Sequence, residues 1–222
     1  HDSHRQFNNN KRYYCASKYE IQNLSLPEYD YRPEHLKLTG VPRYDGLVNK
    51  DQRQILITPT WRSYIAMPSV MGKSRPYNPN FKETDYFRIY NDLIHDQKLI
   101  ETAKRTGYKL IYLLHPITSA QLEDYGEVEN VELIQATTVN YEKILCESSL
   151  MVTDYSGVQF DFAYMRKPVV YYHPPKLPPH YVEGGFFYDT QGFGEICTEH
   201  KQLVDTICDY MEHECKLKDY YK

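Results

Sequence analysis

The chain has 222 residues, 41% of them hydrophobic and 25% charged, enough for one substantial core or one and a half small ones. Its 26 Lys and Arg against 30 Asp and Glu give a formal charge of −4, with no basic run interleaved with aromatics, which argues against a nucleic-acid partner. No apolar stretch approaches the roughly 20 residues that span a bilayer, and the opening HDSHRQFNNNKR is too polar for a signal peptide, so nothing is expected to cross or target a membrane.

Residues 1–50 lack a sustained period; Val41-Pro42-Arg43-Tyr44-Asp45-Gly46 reads as a turn, and the stretch as a linker and remnant of a preceding domain. From Gln54 the texture changes. Ile55-Leu56-Ile57-Thr58 is a short apolar run stopped by Pro59, which suits a buried strand opening a domain over residues 51–222. Met67 to Thr84 carries Pro68, Gly72, Pro76 and Pro79 among polar residues and predicts a long, functional loop. Phe87, Tyr90, Leu93, Ile94, Ile100 and Ala103 recur at helical spacing as far as Gly107, and Lys109 to His115 predicts a strand capped by Pro116. The alternation continues with a strand at Val131–Ile134, a helix at Tyr141–Glu147 and a strand at Leu150–Thr153. A helix at Gly157–Met165, a strand at Val169–Tyr172 and a helix from about Glu199 to His213 complete it. Strands alternating with helices imply an α/β, doubly wound parallel sheet.

In such sheets ligands lie outside the carboxyl ends of the strands. The candidate site residues therefore follow the strands: Thr60-Trp61-Arg62, His115-Pro116, Asp154-Tyr155-Ser156-Gly157 and His173-Pro174. Ser156 has N-cap chemistry, and Gln159 three residues on would complete a capping box; the exposed amides beside Gly157 then offer a phosphate site, or the pair does no more than cap a helix. Asp161, on the next turn, cannot bind an anion and is assigned to hydroxyls of a ligand or to orienting a neighbour, against a plain solvated acid. Lys167 would neutralise phosphate, or simply answer the helix dipole. From the residues alone, the preferred readings are His115 as a strand-end histidine satisfied by a carbonyl, Arg62 as a surface ion-pair partner and His173 as structural. Gly184-Gly185 turns the chain or lets backbone approach a ligand. Cys15, Cys146, Cys197, Cys208 and Cys215 form no CxxC pair and no cluster has zinc-ligand spacing, so a reducing compartment and no metal site are expected. The 23 tyrosines read as packing residues with a polar tip.

The run TDYSGVQFDFAYMRKPVVYY resembles the signature of the CDP-glycerol glycerophosphotransferase family. ILITPTWR at 55–62, LLHP at 113–116 and GVPRYD at 40–45 resemble further family segments in the same order, so the likeness extends over roughly residues 13–222. The resemblance implies one half of a GT-B type fold, two Rossmann-like domains facing across a cleft, with this half holding the cytidine nucleotide. It implies transfer of a polyol phosphate from CDP-glycerol or CDP-ribitol, with no further cofactor, to a polymer acceptor on a lipid carrier at the cytoplasmic face of the cell membrane, with peripheral membrane contact only. Carried onto this chain, Arg62 and His115 become the catalytic pair facing the diphosphate, with Thr60, Asp154, Tyr155, Ser156, Gly157, Asp161 and Lys167 as substrate-binding residues. Two features depart from the family: Gly157 stands where a second Ser is usual, and the family's Trp-His-Gly histidine has no counterpart here. Transfer activity is therefore not expected of this piece alone. A GT-B enzyme using another nucleotide-sugar and a non-catalytic docking domain are the rival readings.

Overall fold

The fold is taken from a computed structural model that describes residue 5 and residues 10–69, 75–181 and 185–221. Gly72 and Gly184, singled out from the sequence, lie outside the described residues, as does most of the opening segment. The chain divides into two compact units, His1–Gly46 and Leu47–Lys222.

The first unit carries more order than its lack of period suggests. Strand β1 (Tyr13–Cys15) pairs in parallel with β2 (Leu36–Leu38), and helix α1 (Lys18–Leu24) starts where the Ser17 hydroxyl accepts the Glu20 N–H. Cys15, Leu24, Tyr31 and Leu36 form its small core. Strands of three residues are too short to show a period of two.

The second unit is one sheet of six parallel strands in the order β5-β4-β3-β6-β7-β8. These are β3 (Gln54–Ile57), β4 (Lys109–Leu114), β5 (Val131–Gln135), β6 (Ser148–Thr153), β7 (Val169–Tyr172) and β8 (Gly194–Cys197). The chain starts in the middle, runs outward to β5, returns to the centre at β6 and runs outward the other way, which is the doubly wound arrangement. Strands buried on both faces explain why the sequence shows apolar runs here instead of alternation. Ile55, Leu110, Leu150 and Val170 point to one face, packed under α2 (Asp85–Ile94), α3 (Gln97–Thr106) and α7 (His200–Glu212). Leu56, Ile111, Met151 and Val169 point to the other, under α4 (Tyr141–Glu147) and α5 (Gln159–Tyr164). A last short helix, α6 (Tyr188–Gln191), precedes β8.

Three expectations change. The helical period from Phe87 to Ala103 belongs to two helices, because Asp96 takes an extended backbone and its carboxylate accepts the Leu99 N–H as the N-cap of α3. Strand β8 carries no apolar run and was not legible. The helix expected at Gly157–Met165 is only six residues, Gln159–Tyr164, and Ser156 does not cap it: its hydroxyl meets the Val158 N–H at 3.5 Å, while Gln159 accepts the Tyr171 hydroxyl at 2.5 Å. The capping box at Ser156 and Gln159 is therefore absent, and so short a helix brings no sizeable dipole. No described helix is long and apolar enough to cross a membrane.

Candidate functional site

The switch point between β3 and β6 is where the connecting segments part to opposite directions and leave a crevice. A hollow of about 200 Å³ opens there, lined by Thr60 and Trp61 after β3, His115 after β4, and Tyr155, Ser156 and Gly157 after β6, with Tyr141 of α4 beside them. Segments far apart in sequence thus meet because three adjacent parallel strands end on one side of the sheet.

The two central loops are joined by Asp154, which is fully buried. Its Oδ1 accepts the Thr60 N–H at 2.8 Å and the Tyr155 N–H at 2.7 Å, and its Oδ2 accepts Arg62 Nη2 at 2.7 Å. Arg62 Nη1 donates to the Thr60 carbonyl at 2.7 Å. Burial works against the guanidinium's charge, yet the adjacent Asp154 carboxylate outweighs it and holds the Arg62 pKa above its ordinary value. With side-chain exposures of 3% and 1%, the pair lies beneath the hollow and does not line it. Both residues were read from the sequence as ligand contacts; the structure places them one layer below that role.

His115 does line the hollow. Its Nδ1 accepts the Ile117 N–H at 3.2 Å, which leaves the proton of the neutral ring on Nε2 as a donor. Burial, and then His180, push its pKa down, so that donor form prevails at neutral pH. Its ring stacks on Trp61, centroids 6.1 Å apart. Tyr155 stacks on His173 at 4.4 Å and on Tyr181 at 5.1 Å, while His173 Nε2 donates to the Asp154 carbonyl at 3.0 Å. His173 is thus a structural prop for Tyr155. Burial, and then Asp154, push the Tyr155 hydroxyl up to about 12, so it stays protonated.

The remaining sequence candidates divide. Thr60, Tyr155, Ser156 and Gly157 share the hollow with His115. Asp161 is 1% exposed inside α5, and its charge helps raise the Tyr141 pKa, after burial. Lys167 is at the other end of the sheet: its ammonium donates to the carbonyls of Leu145, Cys146 and Ser148, at the close of α4 and the start of β6. A strand of six residues rises about 3.3 Å per residue, so Lys167 is roughly 15 to 20 Å from the hollow and cannot reach a ligand in it. Trp61, a candidate from its place after β3, does line the hollow, whereas Arg75 and His180, which both pack on the Trp61 ring, carry no signal in the sequence. Long irregular segments give no periodic signal that would place them.

The family model for CDP-glycerol:poly(glycerophosphate) glycerophosphotransferase matches residues 2–222. The chain belongs to this family. It is 38% identical over 209 residues to the minor teichoic acid biosynthesis protein GgaB of Bacillus subtilis (strain 168), a match covering 93% of this chain and 23% of that protein. It is 23% identical over 185 residues to the teichoic acid ribitol-phosphate primase of Bacillus spizizenii (strain ATCC 23059 / NRRL B-14472 / W23), covering 81% of this chain and 45% of the primase. The chain thus spans less than half the length of either relative. Among solved structures, the wall teichoic acid polymerase TagF superposes with a TM-score of 0.63 at 19% identity, over 96% of this chain and 53% of the polymerase chain. A variant of that polymerase soaked with CDPG gives 0.62 at 20%, over 96% and 51%. The glycerophosphotransferase fold here is therefore the Rossmann-like half of a GT-B type architecture.

Proposed function

We propose that this chain is the donor-binding half of a transferase that moves glycerol phosphate or ribitol phosphate from its CDP ester to a teichoic-acid-like or cell-surface polymer acceptor. The observation that carries this is the hollow at the switch point of a glycerophosphotransferase fold, lined by hydroxyls, a backbone glycine and a donor histidine. In the reaction an acceptor hydroxyl attacks the phosphorus bearing the donor polyol, the bond from that phosphorus to the CMP oxygen breaks, and CMP leaves with the electron pair. Phosphoryl transfer of this kind depends on positioning and on neutralising charge as it develops. His115 Nε2–H donates to a diphosphate oxygen, and the Thr60 and Ser156 hydroxyls and the Gly157 amide supply further donors. Asp154 and Arg62 hold the two loops that carry these groups in register. The acceptor's base comes from the rest of the protein, which works on a lipid-carried polymer at the inner face of the membrane.

Calorimetry tests the reading: CDP or CMP should bind this chain more tightly than UDP, and His115→Ala should weaken that binding several-fold. Equal or tighter UDP binding points to a different nucleotide-sugar, and no nucleotide binding at all points to a docking domain. Mixed with CDP-glycerol and acceptor, the chain should release no CMP at a full-length enzyme's rate.

A further inference from the structure

The donor's diphosphate is a dianion, and burying such a charge without a cation is expensive. Among the described residues lining the hollow there is no Lys or Arg. The charge of Arg62 is paired with Asp154 and buried. His115 in the lining and His180 against the Trp61 ring are both pushed toward the neutral form, chiefly by burial. The machinery described so far therefore donates hydrogen bonds but brings no net positive charge.

Arg75 changes that balance. Its guanidinium lies over the ring of Trp61, 5.4 Å from the centroid, and Trp61 forms a wall of the hollow. One nitrogen, Nη1, donates to the Met67 carbonyl at 2.9 Å. None of the ion pairs formed among the described residues involves it, in contrast to Arg62. The segment is anchored just beyond it, where the Tyr77 hydroxyl donates to Asp124 at 2.9 Å and the buried Asn78 amide donates to the Ile65 carbonyl at 3.0 Å. A stacked guanidinium keeps its charge and still presents N–H groups in its own plane, the geometry that suits phosphate oxygens.

We propose that Arg75, carried on Trp61, is the cation that pairs with the diphosphate of a nucleotide bound in the hollow; this rests on reading the hollow as a nucleotide site. The test is calorimetry of the 222-residue chain with CDP, UDP and cytidine at low and moderate salt, comparing wild type, Arg75→Ala and Arg75→Lys. Arg75→Ala should lower CDP affinity about tenfold or more, the loss of a charge-assisted hydrogen bond. It should also flatten the salt dependence and leave cytidine binding as it was. Arg75→Lys, which keeps the charge and loses the fork, should recover part of the loss. Unchanged CDP affinity in Arg75→Ala, or an equal loss for cytidine, overturns the assignment. If wild type binds UDP as well as CDP and Arg75→Ala weakens both, the cytidine reading fails while the role of Arg75 stands.

Discussion

Asp154 ties the ends of two strands together, and its partner Arg62 is 92 positions away in the sequence. A buried ion pair is worth little against an apolar replacement of both partners, but removing one partner strands a charge. Arg62→Ala should therefore cost about 3 to 5 kcal/mol of folding stability in urea denaturation. An Arg62→Met, Asp154→Leu double variant should recover only part of that, because the Thr60 and Tyr155 N–H groups lose their acceptor, and it should still fail to bind nucleotide. A loss of affinity with unchanged stability in Arg62→Ala would instead show a guanidinium that contacts the ligand directly. The sequence does place Thr60, His115, Asp154 and Ser156 after strands, because a short apolar run with a hard stop is a local signal. It does not reveal which of them face a ligand and which face each other. That distinction depends on a pairing across the sheet, and no spacing along the chain encodes it.

Elements were legible in proportion to how much of their burial is local. Helix α3 shows its apolar face at Leu99, Ile100 and Ala103 within a single turn or two, and strand β4 is apolar from Leu110 to Leu114. The break between α2 and α3 was hidden, since both helices pack the same face and keep the period going through His95 and Asp96. Strand β8 was hidden for a different reason: it begins with Gly194, followed by a glutamate, and its place is set by β7. A methyl group on Gly194 would sit 1.6 Å from the Val169 carbonyl oxygen, so the strand can approach only if that residue has no side chain. Gly194→Ala should cost about 3 kcal/mol or more, at the upper end of overpacking, because backbone and not a side-chain tip must move. Hydrogen exchange should show the loss concentrated at the β7–β8 edge; a variant with wild-type stability would mean β8 does not pair as described.

Over the whole molecule, the pattern of alternating elements announces a doubly wound parallel sheet, yet the strand order, and with it the position of the switch point, comes only from the fold. That order gathers His115, His173 and His180 around one end of the sheet. All three have pKa values below the ordinary 6.5, in each case first because burial disfavours the charged ring. The folded chain therefore holds fewer protons than the unfolded chain once the pH falls to about 6.5, and stability must drop as acid is added through that range. From about pH 7 to about pH 5.5 the urea midpoint should move down with the slope unchanged. His173 shows the contacts involved. Burial of the ring against Tyr155 disfavours its charged form first and Arg62 adds to that, while the Nε2–H bond to the Asp154 carbonyl and the Asp154 and Asp189 carboxylates offset it only in part. His173→Gln should flatten the acid limb of the stability profile, and a variant profile parallel to wild type would show that the titrating groups lie elsewhere.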